Sequence, residues 1–152
     1  MAVRWLPLSI LLASGCLYQE LTSSHVEPGG TVTAMLDGGM PRTTTGLGDA
    51  TKDPFSLSGF SPFLTFGLVA PGSKMALSMD NTTVEVDLAP GSGVQLEIHS
   101  DGTGCSAQSG VVHLHTSGDG HVDGDFTATG LVPGTTTACS FAGTLAGIPL
   151  SR

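Results

Sequence analysis

The chain has 152 residues, of which 12% are charged, and its formal net charge is −8 at pH 7. This length favours a single domain, and an apolar fraction of 39% excludes wholesale disorder. The acidic excess excludes nucleic acid as an expected partner, because phosphate binding requires clustered Lys and Arg.

The first 15 residues have the pattern of a secretory signal peptide. Arg4 supplies a positive charge, and an apolar run from Trp5 to Ala13 follows it, ending in small residues. A helix of this length, at about 1.5 Å per residue, is too short to cross a hydrocarbon core of roughly 30 Å. Residues 1–15 are therefore predicted to direct export and to be removed.

The end of this segment, Leu12-Ala13-Ser14-Gly15-Cys16, resembles the lipobox of bacterial lipoproteins. The resemblance implies that Cys16 is acylated, becomes the mature N-terminus and anchors the chain to a membrane. Leu17 stands where an Asp would resemble an inner-membrane retention signal, so the implied address is the outer membrane. Ala13 departs from the usual Leu, which leaves open cleavage by an ordinary signal peptidase and a secreted or periplasmic product.

Residues 16–30 are predicted to carry the lipid and to form a tether that ends in Pro28-Gly29-Gly30. Residues 31–152 are predicted to form the folded domain. Its many glycines, 22 in the whole chain, indicate frequent turns between short strands.

Short runs in the domain alternate between apolar and polar residues. The runs are Val32–Leu36, Phe55–Leu57, Leu64–Leu68, Met75–Met79, Val84–Leu88, Val94–Ile98, Val112–Leu114, Val122–Ala128 and Thr137–Leu145. Such alternation is typical of antiparallel sheets with one buried face. The fold class is therefore predicted to be all-β, with about eight or nine short strands in a single antiparallel β-sandwich or small barrel. Residues 37–53 fit less well: either Thr43–Thr45 is a short strand, or the segment is a long loop.

The C-terminal part, from Gly110 to Gly143, resembles small uncharacterised lipoproteins and secreted proteins of Gram-negative bacteria. The matching pieces are Gly110-Val111-Val112, Asp119-Gly120, Gly124-Asp125-Phe126-Thr127-Ala128 and Cys139-Ser140-Phe141 with Gly143-Thr144. The resemblance implies a β-domain and no particular activity.

Cysteine usage divides into two roles. The chain has 3 Cys, so acylation of Cys16 leaves Cys105 and Cys139 as an even pair in an oxidising compartment. Cys139 shares a face with Phe141, and Cys105 precedes a strand expected to begin near Gly110. A Cys105–Cys139 disulfide is the prediction, and two separate buried thiols are the alternative.

Motifs of catalysis are absent from the sequence: there is no Gly-x-Ser-x-Gly, His-Glu-x-x-His, phosphate loop or Cys-x-x-Cys. The six Phe fall mostly on apolar faces, which favours a core role over the stacking of sugars. The chain is therefore expected not to be an enzyme, with a hydrolase of unrecognised type as the alternative.

Histidine is the one functional residue type with an unusual arrangement. Placing the apolar faces of residues 110–129 in register sets His113 opposite Asp125 and His115 opposite Asp123, all facing outward. Two imidazoles and two carboxylates are ligands that Zn²⁺ accepts. The competing interpretation is a solvated strand face whose His and Asp need no ligand.

Taken together, the sequence predicts a lipid-anchored envelope protein that works as a binding or structural β-domain. Its expected partner is the membrane, through the anchor, and a protein or small-molecule partner is left unspecified. No cofactor is expected, and the alternative function is divalent-metal binding with zinc.

Overall fold

The structure is a computed structural model that describes residues 29–50, 53–71, 83–117 and 119–151. It contains nine strands, and the predicted all-β class is confirmed. The strands are β1 (Gly30–Leu36), β2 (Arg42–Asp49), β3 (Phe55–Phe60), β4 (Leu64–Ala70), β5 (Thr83–Asp87), β6 (Gln95–Ser100), β7 (Thr103–Thr116), β8 (His121–Leu131) and β9 (Ala138–Ser151). No helix among the described residues is long and apolar enough to span a membrane.

Eight of the strands close into an antiparallel barrel. Each strand pairs with its successor in the order β1-β2-β3-β4-β6-β7-β8-β9, and β9 returns to pair with β1. This is an up-and-down barrel, so the alternative between sandwich and barrel is resolved in favour of the barrel. The segment around Thr43–Thr45 forms β2, and the long-loop alternative for it is wrong.

Strand β5 lies outside this simple order. It pairs with β7 over Thr83–Asp87. Strand β6 pairs with the same edge of β7, nearer the start of β7. Strand β7 is therefore longer than predicted: it begins at Thr103 and runs for 14 residues, so the expected start near Gly110 is wrong. Strand β7 is this long because it pairs first with β6 and then with β5 along one edge, while β8 pairs along the other edge.

The core fills the inside of the barrel, as the alternating patterns predict. Phe66, Phe126 and Phe141 stack there, with ring centroids 5.3 Å apart for the first pair and 6.1 Å for the second. Phe55 is buried as well, whereas Phe60 and Phe63 are exposed. The prediction of a core role thus holds for four of the six Phe, and the two exceptions lie where β3 turns into β4.

Glycines on β2 make room for bulky neighbours inside the barrel. A Cβ at Gly46 would lie 2.5 Å from Cδ1 of Ile148 and 2.9 Å from Cγ2 of Val32, so these side chains already occupy the space. A small barrel filled in this way is a packed core. The surfaces left for recognition are its outer faces and its ends.

Cys105 and Cys139 form the predicted disulfide, with Cα atoms 6.0 Å apart and a sequence separation of 34. Cys105 lies on β7 and Cys139 on β9, the two strands that flank β8, and both cysteines are buried. The bond therefore ties together the three strands of the C-terminal half.

Some predictions fall outside the described residues. These are the signal at 1–15, nearly all of the tether at 16–30 with Cys16, and the strand at Met75–Met79. The first strand, β1, starts at Gly30, the last residue of the predicted tether.

Candidate functional site

Polar side chains of β5, β7 and β8 meet on one outer face of the barrel, which we call the histidine face. It consists of Thr83, Glu85, His113, His115, Asp123 and Asp125. Val112 and Leu114 alternate with the two histidines and are buried, which turns both imidazoles outward. The predicted register is confirmed, because His113 pairs with Asp125 and His115 pairs with Asp123.

The polar groups of this face form two rows. The row that contains His113, called the upper row, is a chain of three ionisable groups. Nδ1 of His113 lies 2.9 Å from Oδ1 of Asp125, and its Nε2 lies 3.3 Å from Oε2 of Glu85. A neutral imidazole carries one N–H and can donate to one carboxylate, whereas the protonated ring donates to both. The hydrogen bond with Asp125 is the largest cause that raises the pKa of His113 above its ordinary value of 6.5. Burial opposes it as the next-largest cause, and the charges of Asp125 and Glu85 raise the pKa further.

The lower row, which contains His115, Thr83 and Asp123, has different contacts. Nδ1 of His115 lies 3.1 Å from Oγ1 of Thr83 on β5. Asp123 turns the other way and accepts a hydrogen bond from the backbone N–H of Gly147 on β9, at 2.7 Å. That contact coincides with a bulge in the β8–β9 pairing after Val122, which shifts the register and aims the Gly147 amide at the carboxylate.

The four predicted zinc ligands therefore share a face without gathering at a point. Asp125 is engaged by His113, and His115 and Asp123 have partners on β5 and β9. Across the described ranges, no group of three or more His, Cys, Asp or Glu is placed to hold a metal ion.

Sequence reasoning missed the contribution of β5. Glu85 and Thr83 complete the two rows, and the alternation of Glu85 with Val84 and Val86 already indicated that it faces outward. What the sequence did not indicate was the neighbour, since β5 is followed in the chain by β6 and yet pairs with β7.

His99 and His121, the other histidines among the described residues, lie apart from this face. The ring of His99 on β6 lies over Gly104, where an added Cβ would be 2.6 Å from its Cε1. His121 sits at the β7–β8 turn, with Nδ1 3.0 Å from Oδ1 of Asp119. Ser117 also donates a hydrogen bond to Asp119, and these contacts, that of Ser117 first, lower the pKa of Asp119 to about 2. This cluster closes the turn.

The chemistry available on the histidine face is proton binding and hydrogen bonding. A nucleophilic triad needs one imidazole between a hydroxyl and a carboxylate. Here the imidazole–hydroxyl contact belongs to His115, and the imidazole–carboxylate contacts belong to His113.

No family model matches the chain, and no curated protein or solved structure shows significant similarity to it.

Proposed function

We propose that this protein is a lipid-anchored envelope protein whose barrel is a non-enzymatic binding or structural domain. The observation that carries the proposal is the pairing of cysteines. With Cys105 and Cys139 joined, Cys16 is the remaining cysteine of the 3 in the chain, and it stands in the segment that resembles a lipobox. A disulfide is also what an exported domain can keep, because thiols stay reduced in the cytosol.

The packing of the barrel supports a role for its outside. Side chains fill the interior, so a ligand or partner would be met by the outer faces or the end loops. Within the described ranges Arg42 is the only Lys or Arg, and this composition disfavours nucleic acid as the partner. Acylation at Cys16 would place the domain at the outer membrane.

Metabolic labelling with a fatty-acid probe tests the anchor. The wild-type protein should take up the label and float with outer-membrane vesicles, and Cys16→Ser should do neither. Intact mass of the mature chain should show Cys16 as its first residue with the added acyl groups. Equal labelling of both proteins would overturn the proposal, and an unmodified mature chain would instead assign it to the secreted or periplasmic class.

Divalent-metal capture is the second candidate, and the confirmed register favours it. His113, His115, Asp123 and Asp125 do lie on one outward face. Binding would require Asp123 to leave the Gly147 amide or His115 to leave Thr83, so side chains must rearrange before a tetrahedral set forms.

Calorimetric titration with Zn²⁺ decides this second candidate. Saturable binding at micromolar metal that is lost in the His113→Ala/His115→Ala double variant would support it. The matched control is His99→Ala, whose imidazole lies on β6 outside the histidine face. Absence of saturable binding, or equal binding by all three proteins, would eliminate it.

A further inference from the structure

A second outer surface differs sharply from the histidine face. Four large apolar side chains are exposed there: Met40 at 68%, Leu47 at 50%, Phe60 at 80% and Phe63 at 58%. We call these four residues the apolar strip. Leu47 lies on β2 and Phe60 on β3. Met40 lies in the β1–β2 turn and Phe63 in the β3–β4 turn, and both turns are at the same end of the barrel, called the upper end.

Leu47 and Phe60 adjoin on β2 and β3, whereas Met40 lies in the β1–β2 turn near Asp101 and Thr103. Leu47 pairs with Ser58, so Leu47 and Phe60 are diagonal neighbours on the outer face. The β3–β4 turn leans back on β2, since the hydroxyl of Ser61 donates to the carbonyl of Thr43 at 3.2 Å. Phe63 thereby reaches Arg42, whose guanidinium carbon lies 5.5 Å from the ring centroid.

Charge is distributed unevenly around the barrel. The outward residues of β1 to β4 are Thr31, Thr33, Met35, Thr43, Thr45, Leu47, Asp49, Ser56, Ser58, Phe60, Thr65, Gly67 and Val69. Among them only Asp49, at the far end of β2, is charged. At the near end Arg42 pairs with Asp101 at 2.9 Å. Strands β5 to β8 carry the other strand carboxylates, namely Glu85, Asp87, Glu97, Asp123 and Asp125.

The anchor joins the barrel on the same side as the strip. A Cβ at Gly29, just before β1, would lie 3.7 Å from Cδ2 of Leu47, so the chain enters the domain beside the lower end of the strip. The 13 residues from Cys16 to Pro28 have a contour length of about 45 Å. Strand β2, with 8 residues, extends about 26 Å. The tether is long enough for the domain to lie with its β2–β3 face toward the bilayer.

From these observations we propose that the apolar strip rests on the lipid surface to which the protein is anchored, with the acidic histidine face turned away. The proposal rests on acylation at Cys16. Exposed aromatic side chains next to a cation suit the interface between headgroups and acyl chains. The outward residues of β1 to β4 include one carboxylate, Asp49, and three more lie in the turns at the ends, Asp37, Asp53 and Asp101, the last paired with Arg42. This side therefore meets less repulsion from anionic lipids than the strands that carry the other carboxylates.

A tryptophan reporter tests the proposal in the intact lipoprotein. Trp5 is the only Trp of the chain and lies in the predicted signal, so Phe60→Trp gives the mature protein a single indole. The acylated variant is reconstituted in vesicles of phosphatidylethanolamine and phosphatidylglycerol, with or without brominated acyl chains. We expect a blue-shifted emission and severalfold stronger quenching by brominated lipid than for the matched control Thr129→Trp, an exposed position on β8. Leu47→Trp reports independently from the other end of the strip.

Three other results would each overturn a different part of the proposal. Vesicle flotation with equal, weak quenching at all three positions would overturn the strip while leaving the anchor in place. Failure to float would instead remove the anchor, on which the proposal depends. A blue shift that disappears when the protein is diluted in lipid would assign the strip to a second copy of this chain and also overturn contact with the bilayer.

Discussion

His113 is the residue whose chemistry the structure defines most closely. Asp125 and Glu85 face its two ring nitrogens from the strands on either side, and His115, Thr83 and Asp123 are the remaining polar groups of that face. We expect NMR titration to give His113 a pKa above 6.5, because protonation lets the ring donate to both carboxylates.

Substitution of each carboxylate separates their effects on that pKa. Asp125→Asn should lower the pKa of His113 more than Glu85→Gln does, since the hydrogen bond with Asp125 is the largest cause of the shift. The contribution of protonated His113 to folding is fully present below 6.5 and is lost as the pH rises through the folded-state pKa. An equal or reversed order of the two variants would contradict the assignment.

Adding a methyl group at Gly130 or at Gly67 should change the free energy of unfolding in different ways. A Cβ at Gly130 on β8 would lie 1.8 Å from the carbonyl oxygen of Ser106, and backbone cannot move aside as a side-chain end can. Gly130→Ala should therefore reduce the free energy of unfolding by about 1–3 kcal/mol or more. At Gly67 on β4 an added Cβ meets nothing within 4 Å, so Gly67→Ala should be neutral or add up to about 1 kcal/mol.

Urea denaturation of the two alanine variants measures this difference directly. Because both glycines lie in strands of the same barrel, propensity changes are matched and the contrast reports the clash at Ser106. Equal midpoints for the two variants would show that β7 and β8 separate at little cost, contrary to the close approach of Gly130 to the Ser106 carbonyl.

At the scale of elements, the β7–β8 hairpin could be predicted from sequence and its surroundings could not. Val112 and Phe126 must both face inward, and a slip of one residue would expose every apolar side chain of a strand, so the register followed from the pattern. The start of β7 at Thr103 did not follow, because residues 103–110 are all small or polar and contain no large apolar side chain to mark a buried face.

The histidine face was predictable only as far as the hairpin. Burial patterns fix which way His113 and His115 point, but the partners of their rings depend on which strand lies alongside β7 and on a bulge in β9. Pairing between β5 and β7 joins segments that β6 separates in the chain, and no periodicity contains that information. The zinc hypothesis was therefore correct about the shared face and silent about Thr83, Glu85 and the Gly147 amide.

At the scale of the molecule, two opposite sides of the barrel have different characters. One side, β1 to β4, presents hydroxyl and apolar side chains with Gly29 beside it, and the other presents most of the carboxylates and two of the histidines. Such an asymmetry is what an anchored domain needs if one side is to face lipid and the other is to face a partner.

The Cys105–Cys139 bond should stabilise the C-terminal half of the barrel. Cys105 and Cys139 are separated by 34 positions in sequence, a stretch that includes β8 and most of β7, so the bond restricts the unfolded chain over these strands. Chain-entropy arguments put the effect of a loop of this size on the order of 4 kcal/mol. The Cys105→Ala/Cys139→Ala variant should lose about this much free energy of unfolding, and its urea m-value should rise because the unfolded state becomes more expanded.

Cys16→Ser is the matched control for that double variant, since it removes a cysteine outside the bond and should leave the midpoint unchanged. Both variants are compared in the same detergent, so that the acyl chains do not alter the reference. Intact mass of the wild type without reductant should show the two-hydrogen deficit of one disulfide. If the double variant unfolds at the wild-type midpoint, the strands β7 and β9 are held by their pairing with β8 alone, and the disulfide does not contribute to the free energy of unfolding.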